Sequence, residues 1–204
     1  MKPQASSRGS ARRDELLRVA ARVFAQKGFS NATVRDLGEE AGILSGSLYH
    51  HFESKDAILE DLLRELFEAM EAGYVVAVEP GHPPAETVRN LLITGYGYLG
   101  RFSDEIHVLY NDLAYISRVP RLSFVAELTG RLEQIWLDPI QRGIADGTFR
   151  SDLEPELTYR VLMGSLVGAV RWFKPDGPMT AEELGASVAT VFLGGLLAPG
   201  PVEP

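Results

Sequence analysis

The stretch 45-SGSLYHHFESK-55 gathers two adjacent imidazoles, a phenol, three hydroxyls and an ammonium within eleven residues. Such a group could bind a metal, relay a proton, contact nucleic acid or simply pack. Neighbouring positions on a helix diverge by about 100°, so His50 and His51 cannot close on one metal as an i, i+4 pair does. The chain has no cysteine, which removes a thiolate nucleophile and any Cys-based zinc site. It also lacks G-x-S-x-G, P-loop and H-E-x-x-H patterns, and Asp104 with His107 has the i, i+3 spacing of a surface contact. No catalytic residue, metal or cofactor is therefore expected. Contact with nucleic acid and packing remain.

Positioning these side chains requires helices, and the periodicity supplies an all-α pattern without a convincing strand. Leu16, Leu17, Ala20, Val23 and Phe24 recur at helical spacing and stop at Gly28. Thr33 opens a short second helix with Asp36 as an imperfect capping box, and Gly42 ends it. Ser45 is placed to cap a very short third helix, and Ser54 a long fourth over about 54–78. After the breaker EPGHPP come helical patterns over 85–102 and 103–115. A run from Pro120 to Gly147 follows, with Pro139 expected to kink it. An apolar helix over 156–173 and a last one, capped by Thr180 and Glu183 and reaching Leu197, complete nine.

The formal charge of −8 is unevenly spread: residues 1–55 carry a net +3 and the remainder −11. Such asymmetry points to different partners for different parts of the chain. The start, MKPQASSRGSARRDE, is basic and polar, so it reads as a disordered arm and not a secretory signal. No apolar run reaches the ~20 residues of a membrane span. A cytoplasmic protein that does not engage a membrane is expected.

The second and third helices, joined by Gly42, Ile43 and Leu44, have helix-turn-helix spacing. Leu48 and Phe52 face inward, which presents Ser45, Ser47, Tyr49 and His50 outward and leaves His51 largely structural. Small residues at the start of such a helix let its backbone approach a duplex, while hydroxyl, phenol and imidazole groups reach phosphates and base edges. The run 33-TVRDLGEEAGILSGSLYHHFESKDAIL-59 resembles the DNA-binding signature of TetR-family regulators, densely over about 12–70. The resemblance implies a TetR-like fold whose remaining helices form an effector-binding and dimerisation domain. It also implies DNA contacts from Thr33, Arg35, Ser45, Ser47, Tyr49, His50 and Lys55. Arg12 and Arg13 are expected as flexible cations on phosphate. The domain expectation is a disordered arm over 1–11, the helix-turn-helix domain over 12–56, the effector and dimerisation domain over 57–198 and a tail over 199–204.

ILSGSLYHHF and 170-VRWFKPDGPMTAEELG-185 are together similar to the actinobacterial TetR subgroup that represses steroid ring-degradation genes and releases DNA on binding a steroid-derived acyl-CoA. An Arg and a Trp that serve that subgroup's ligand, four residues apart on the penultimate helix, align with Met163 and Val167. With Tyr96, Tyr110, Asn111 and Trp136 these two form the expected ligand site, a mostly apolar lining with a few polar tips. The hexapeptide 95-GYGYLG-100 matches G-x-G-x-x-G but follows no strand, so its glycines are read as close-packing positions. Gly164, Gly168, Gly194 and Gly195 suit a four-helix interface between two copies. The expected function is a homodimeric repressor, freed from a palindromic operator by a hydrophobic or acyl-CoA-type effector. A multidrug-responsive repressor and a helical small-molecule enzyme or carrier are the alternatives.

Overall fold

The computed structural model describes the backbone of residues 5–196 and the side chains from residue 11 onward. Those residues form ten α-helices, one 3-10 turn and no β-strand. In order they are α1 (Ala5–Lys27), α2 (Val34–Glu40), α3 (Ser45–Leu48), α4 (Lys55–Ala77), α5 (Pro84–Arg101), α6 (Ser103–Asn111), α7 (Leu113–Ile116), α8 (Phe124–Ala145), α9 (Pro155–Ala169) and α10 (Ala181–Leu196). They divide into two compact units. One comprises the chain up to Phe67 with Asp104–Val125; the other comprises Glu68–Ser103 and the chain from Ala126.

In the first unit α1 buries Leu16, Leu17, Ala20, Val23 and Phe24, and Gly28 at φ +78 ends it in the left-handed conformation glycine adopts without strain. Helix α2 begins with a complete capping box: Asp36 N–H donates to Thr33 Oγ1 at 3.1 Å, and Thr33 N–H to Asp36 Oδ2 at 2.8 Å. The α2–α3 turn is set by two glycines. Gly42 takes φ +66. A Cβ on Gly38 would stand 3.0 Å from the Ile43 carbonyl oxygen and 3.1 Å from Ser45 Cα, so only glycine lets the turn come this close. Leu48 and Phe52 are buried beneath the turn as expected.

Residues 104–125 also belong to this unit, although the sequence placed them in the effector domain. They are bound to it by polar contacts. Phe29 N–H donates to Asp112 Oδ2 at 3.1 Å, and Tyr115 Oη donates to Asp56 Oδ1 at 2.6 Å. Arg121 reaches Glu60 and Glu53, and Arg64 stacks its guanidinium 3.9 Å above the Phe124 ring centroid. Ser103 itself falls in the other unit, at the division.

The second unit is packed on aromatics and glycines. Tyr74 meets Tyr98 and Trp136 edge to face, at 5.8 and 5.7 Å between centroids. Helices α5 and α10 touch through Gly185, where a Cβ would lie 2.8 Å from Ile93 Cα. The hexapeptide 95–100 is interior to α5, and a Cβ on Gly95 would stand 2.7 Å from Leu166 Cδ1. Close packing is what these glycines serve.

Several element boundaries differ from those expected. The helix expected over 103–115 stops at Asn111, and α7 starts anew at Leu113, which makes ten helices instead of nine. The interruption is at Asp112, whose carboxylate is taken by the Phe29 amide. Ser45 is not the cap of α3: Leu44 holds that position, with no side-chain cap bond, and Ser45 is already helical. Helix α1 begins at Ala5, so part of the arm expected over 1–11 is helical; residues 1–4 and Leu197 with the tail over 199–204 lie outside the described residues. The penultimate helix stops at Ala169, four residues short of Phe173, and turn bonds such as Trp172 N–H to the Ala169 carbonyl follow it. Helix α8 carries Pro139 and continues to Ala145.

Candidate functional site

The first unit presents a compact outward face at its turn. Leu44 is 82% exposed and Tyr49 59% exposed, with Gly46 and His50 open beside them. Ser45 and Ser47 are half-buried. His50 is exposed while His51 is partly covered, its ring 6.4 Å from that of Phe52. Tyr49 follows the last residue of α3, so phenol and imidazole project from the end of this short helix and not from its middle.

The other expected DNA contacts already have protein partners. Thr33 Oγ1 donates to Asp36 Oδ2 at 2.6 Å, and Lys27 Nζ approaches the other oxygen of that carboxylate at 2.6 Å. The Lys27 ammonium, then Thr33, hold the Asp36 carboxyl far below the usual carboxylate range. Arg35 is fully open and pairs with Glu39 one turn on, at 2.8 Å. Exposed pairs of this kind contribute little and exchange readily for a phosphate. Lys55 is more committed: its ammonium donates to the Phe29 and Ala32 carbonyls, both at 2.7 Å, and lies 4.3 Å above the Phe29 ring centroid. Burial lowers its pKa, against the pull of Asp56 and Asp112. One of its three N–H bonds remains for a phosphate.

Arg12 and Arg13, expected as flexible cations, are instead helical and paired. Arg12 meets Glu15 at 2.6 Å. Arg13 meets Asp61 and lies 4.9 Å over the Phe52 ring. Continuation of α1 to Ala5 places them well inside a helix.

The expected ligand residues fall into two groups. Tyr96, Trp136, Met163 and Val167 belong to the second unit, and Tyr110 and Asn111 to the first, exposed at the end of α6. Tyr96 Oη donates to Ser165 Oγ at 3.1 Å, and Ser165 Oγ to the Leu162 carbonyl at 2.7 Å. Burial raises the Tyr96 phenol pKa, opposed by Ser165. Trp136 is 1% exposed. Met163 and Val167 are half-buried on α9, between its buried row and its exposed row. A groove of about 330 Å³ on this unit is lined by Ile93, Thr94, Gly97, Tyr98, Arg101 and Glu182. Sequence reasoning did not single out Gly38, Tyr74, Asp112 or Ser165; only Gly38, a glycine inside a short helix, carried a local signal.

Two faces bear on assembly. On α9 Leu157, Val161, Gly164 and Gly168 are exposed at helical spacing, and on α10 Val191, Gly194 and Gly195. A Cβ on any of these four glycines would meet nothing within 4 Å. Among the described residues no helix is long and apolar enough to cross a membrane, and no cluster of acidic, His or Cys side chains could hold a metal.

Comparison with known proteins places these features. Residues 16–62 match the model of bacterial regulatory proteins of the tetR family, and residues 81–196 a tetracyclin repressor-like C-terminal domain. The chain is 36% identical over 196 residues to the HTH-type transcriptional repressor KstR2 of Mycolicibacterium smegmatis, covering 96% of each. It resembles the structure of the ketosteroid transcriptional regulator KstR2 of Mycobacterium tuberculosis with a TM-score of 0.88 and 34% identity, over 92% of this chain and 96% of that one. The fold is shared by AibR, solved with isovaleryl coenzyme A and operator DNA, at a TM-score of 0.78 and 20% identity over 93% and 100% of the chains. The chain belongs to the tetR family of bacterial regulatory proteins and is a transcriptional regulator.

Proposed function

We propose that this regulator is a cytoplasmic homodimeric repressor. It binds a pseudo-palindromic operator through α3 and the residues just after it, and leaves the DNA on binding an apolar, steroid-derived acyl-CoA or acid. The observation that carries the reading is the open face of Leu44, Gly46, Tyr49 and His50 on a turn closed by Gly38 and Gly42, in a chain similar along its length to KstR2. Tyr49 and His50 reach base edges; Thr33, Arg35, Ser45, Ser47 and Lys55 contact phosphate. The apolar rows of α9 and α10 join two copies, and a two-fold dimer sets its readers about 34–36 Å apart to meet successive major grooves. Met163 and Val167 offer no cation to a charged group, so the ligand portion held there is apolar.

Footprinting of the DNA next to the protein's own gene, followed by release titrations with acyl-CoAs, free acids and cationic drugs, tests this. A protected inverted repeat and release by thioesters or acids are expected. Tyr49→Ala should weaken operator binding by about 1–3 kcal/mol with no change in melting temperature, because the phenol is exposed. Release by cations alone would replace the steroid reading with a drug-responsive one. Absence of any protected repeat would refute the operator.

A further inference from the structure

Trp136 stands apart from its neighbours. Among the described residues its Nε1 is the buried side-chain polar atom without a hydrogen-bond partner. Other hydroxyls of this unit are answered, Tyr96 by Ser165, Ser165 by the Leu162 carbonyl and Tyr98 by the Ala69 carbonyl. An unpaired buried N–H is costly, and buried polar groups are seldom left so. Phenylalanine would keep an aromatic ring against Tyr74 without that cost, at the expense of buried volume. The indole N–H therefore has its use in another state of the molecule.

We propose that Trp136 Nε1–H is the donor that orients the effector, by receiving a neutral carbonyl oxygen at the apolar end of the ligand. This rests on the effector reading above and names the atom the site recognises. The fully buried polar residues described are Thr87 and Thr158, so no buried cation stands ready for a carboxylate. A ketone, lactone or thioester oxygen satisfies the N–H without bringing an unpaired charge into the core. The core is closed in this state, since Gly95 already abuts Leu166 and the Tyr74 hydroxyl. The acceptor enters as Leu166 gives way, and the hydrogen bond is gained only in the liganded arrangement. An interaction made in one state alone is what lets a ligand shift the equilibrium.

The test compares the wild-type protein with Trp136→Phe, using two CoA thioesters of one bicyclic acid, with and without a ring ketone. The chain has two tryptophans, so the difference between wild-type and variant emission isolates Trp136. The ketone probe should move that emission to the red and bind the wild type about tenfold more tightly than its deoxo partner, the worth of one good hydrogen bond. Trp136→Phe should bind both probes alike. Retention of the ketone preference by the variant overturns the proposal. So does a Trp136 emission that neither probe moves. If the ketone probe shifts the emission and yet leaves operator DNA bound, the donor stands and the release mechanism falls.

Discussion

The two compact units differ in how much of their close packing rests on polar ties. In the first, polar groups tie distant segments together: the Phe29 amide to Asp112, Tyr115 to Asp56, Lys55 to two carbonyls, and Arg121 to Glu60. In the second, two tyrosine hydroxyls also reach across, Tyr96 to Ser165 and Tyr98 to the Ala69 carbonyl, but the closest approaches are made by rings and by bare backbone at glycine, and a buried indole N–H is left open. The difference suits two tasks. The face proposed to read DNA must hold Tyr49 and His50 in fixed register, and directional bonds do that. The core proposed to admit a ligand must give way, and contacts between rings and glycine backbone can slide with few hydrogen bonds to break.

The contrast is most open to attack at Gly185. Helix α10 approaches α5 so closely there that an added methyl would meet Ile93 Cα at 2.8 Å and the Leu92 carbonyl oxygen at 3.2 Å, neither of which can rotate away. Gly185→Ala should destabilise the protein by about 3 kcal/mol, at the upper end of overpacking costs. Urea denaturation at fixed protein concentration measures it. A loss under about 1 kcal/mol would mean that this contact slides freely, and that the second unit is looser than its packing indicates.

Tyr115→Phe tests the other side. It removes the donor to Asp56 while keeping the ring, 5.0 Å from that of Phe29. The bond to Asp56, followed by burial, pushes the Tyr115 phenol up to about 12, so it stays protonated and donating across the accessible pH range. Its loss should cost about 1–2 kcal/mol, less than a fully dry charged bond because Asp56 keeps some access to water. Exchange of the Phe29 amide should quicken, since Asp112 and Tyr115 hold the same corner. Unchanged exchange would separate the two contacts and weaken the claim that polar ties act together in the first unit.

Much of this was legible in the sequence, and what was not has a common cause. The capping boxes at Thr33–Asp36 and Thr180–Glu183, the stops at Gly28 and Gly42 and the inward Leu48 and Phe52 are local, decided within a few residues. The break at Asp112 was hidden because the amide that claims its carboxylate lies 83 residues away. Lys55 looked like a free cation because its carbonyl partners are 26 and 23 residues back. Tyr110 and Asn111 were grouped with Tyr96 and Trp136 because periodicity tells which face is apolar but not which unit the face serves. The open N–H of Trp136 leaves no trace in sequence, since satisfaction is a property of neighbours in space.

The smallest effect concerns Glu105, where the first unit departs from its own habit of pairing. This half-buried carboxyl on α6 is raised to about 7, first by burial, with Asp104 and Glu65 adding like charge and its own backbone N–H opposing. Its pKa is higher folded than unfolded, so between about 4.5 and 7 the native state binds the extra proton. The contribution to stability is therefore fully present below about pH 4.5, declines as the pH rises through 7, and is constant above that. The shift alone would give at most about 3 kcal/mol, and screening of a partly exposed group reduces this to about 1 kcal/mol. Urea midpoints from pH 4.5 to 8 should fall in the wild type relative to Glu105→Gln, whose amide cannot ionise. Parallel curves would mean that Glu105 reaches water freely or has found a cation, and the first unit would then hold no exception to its pairing.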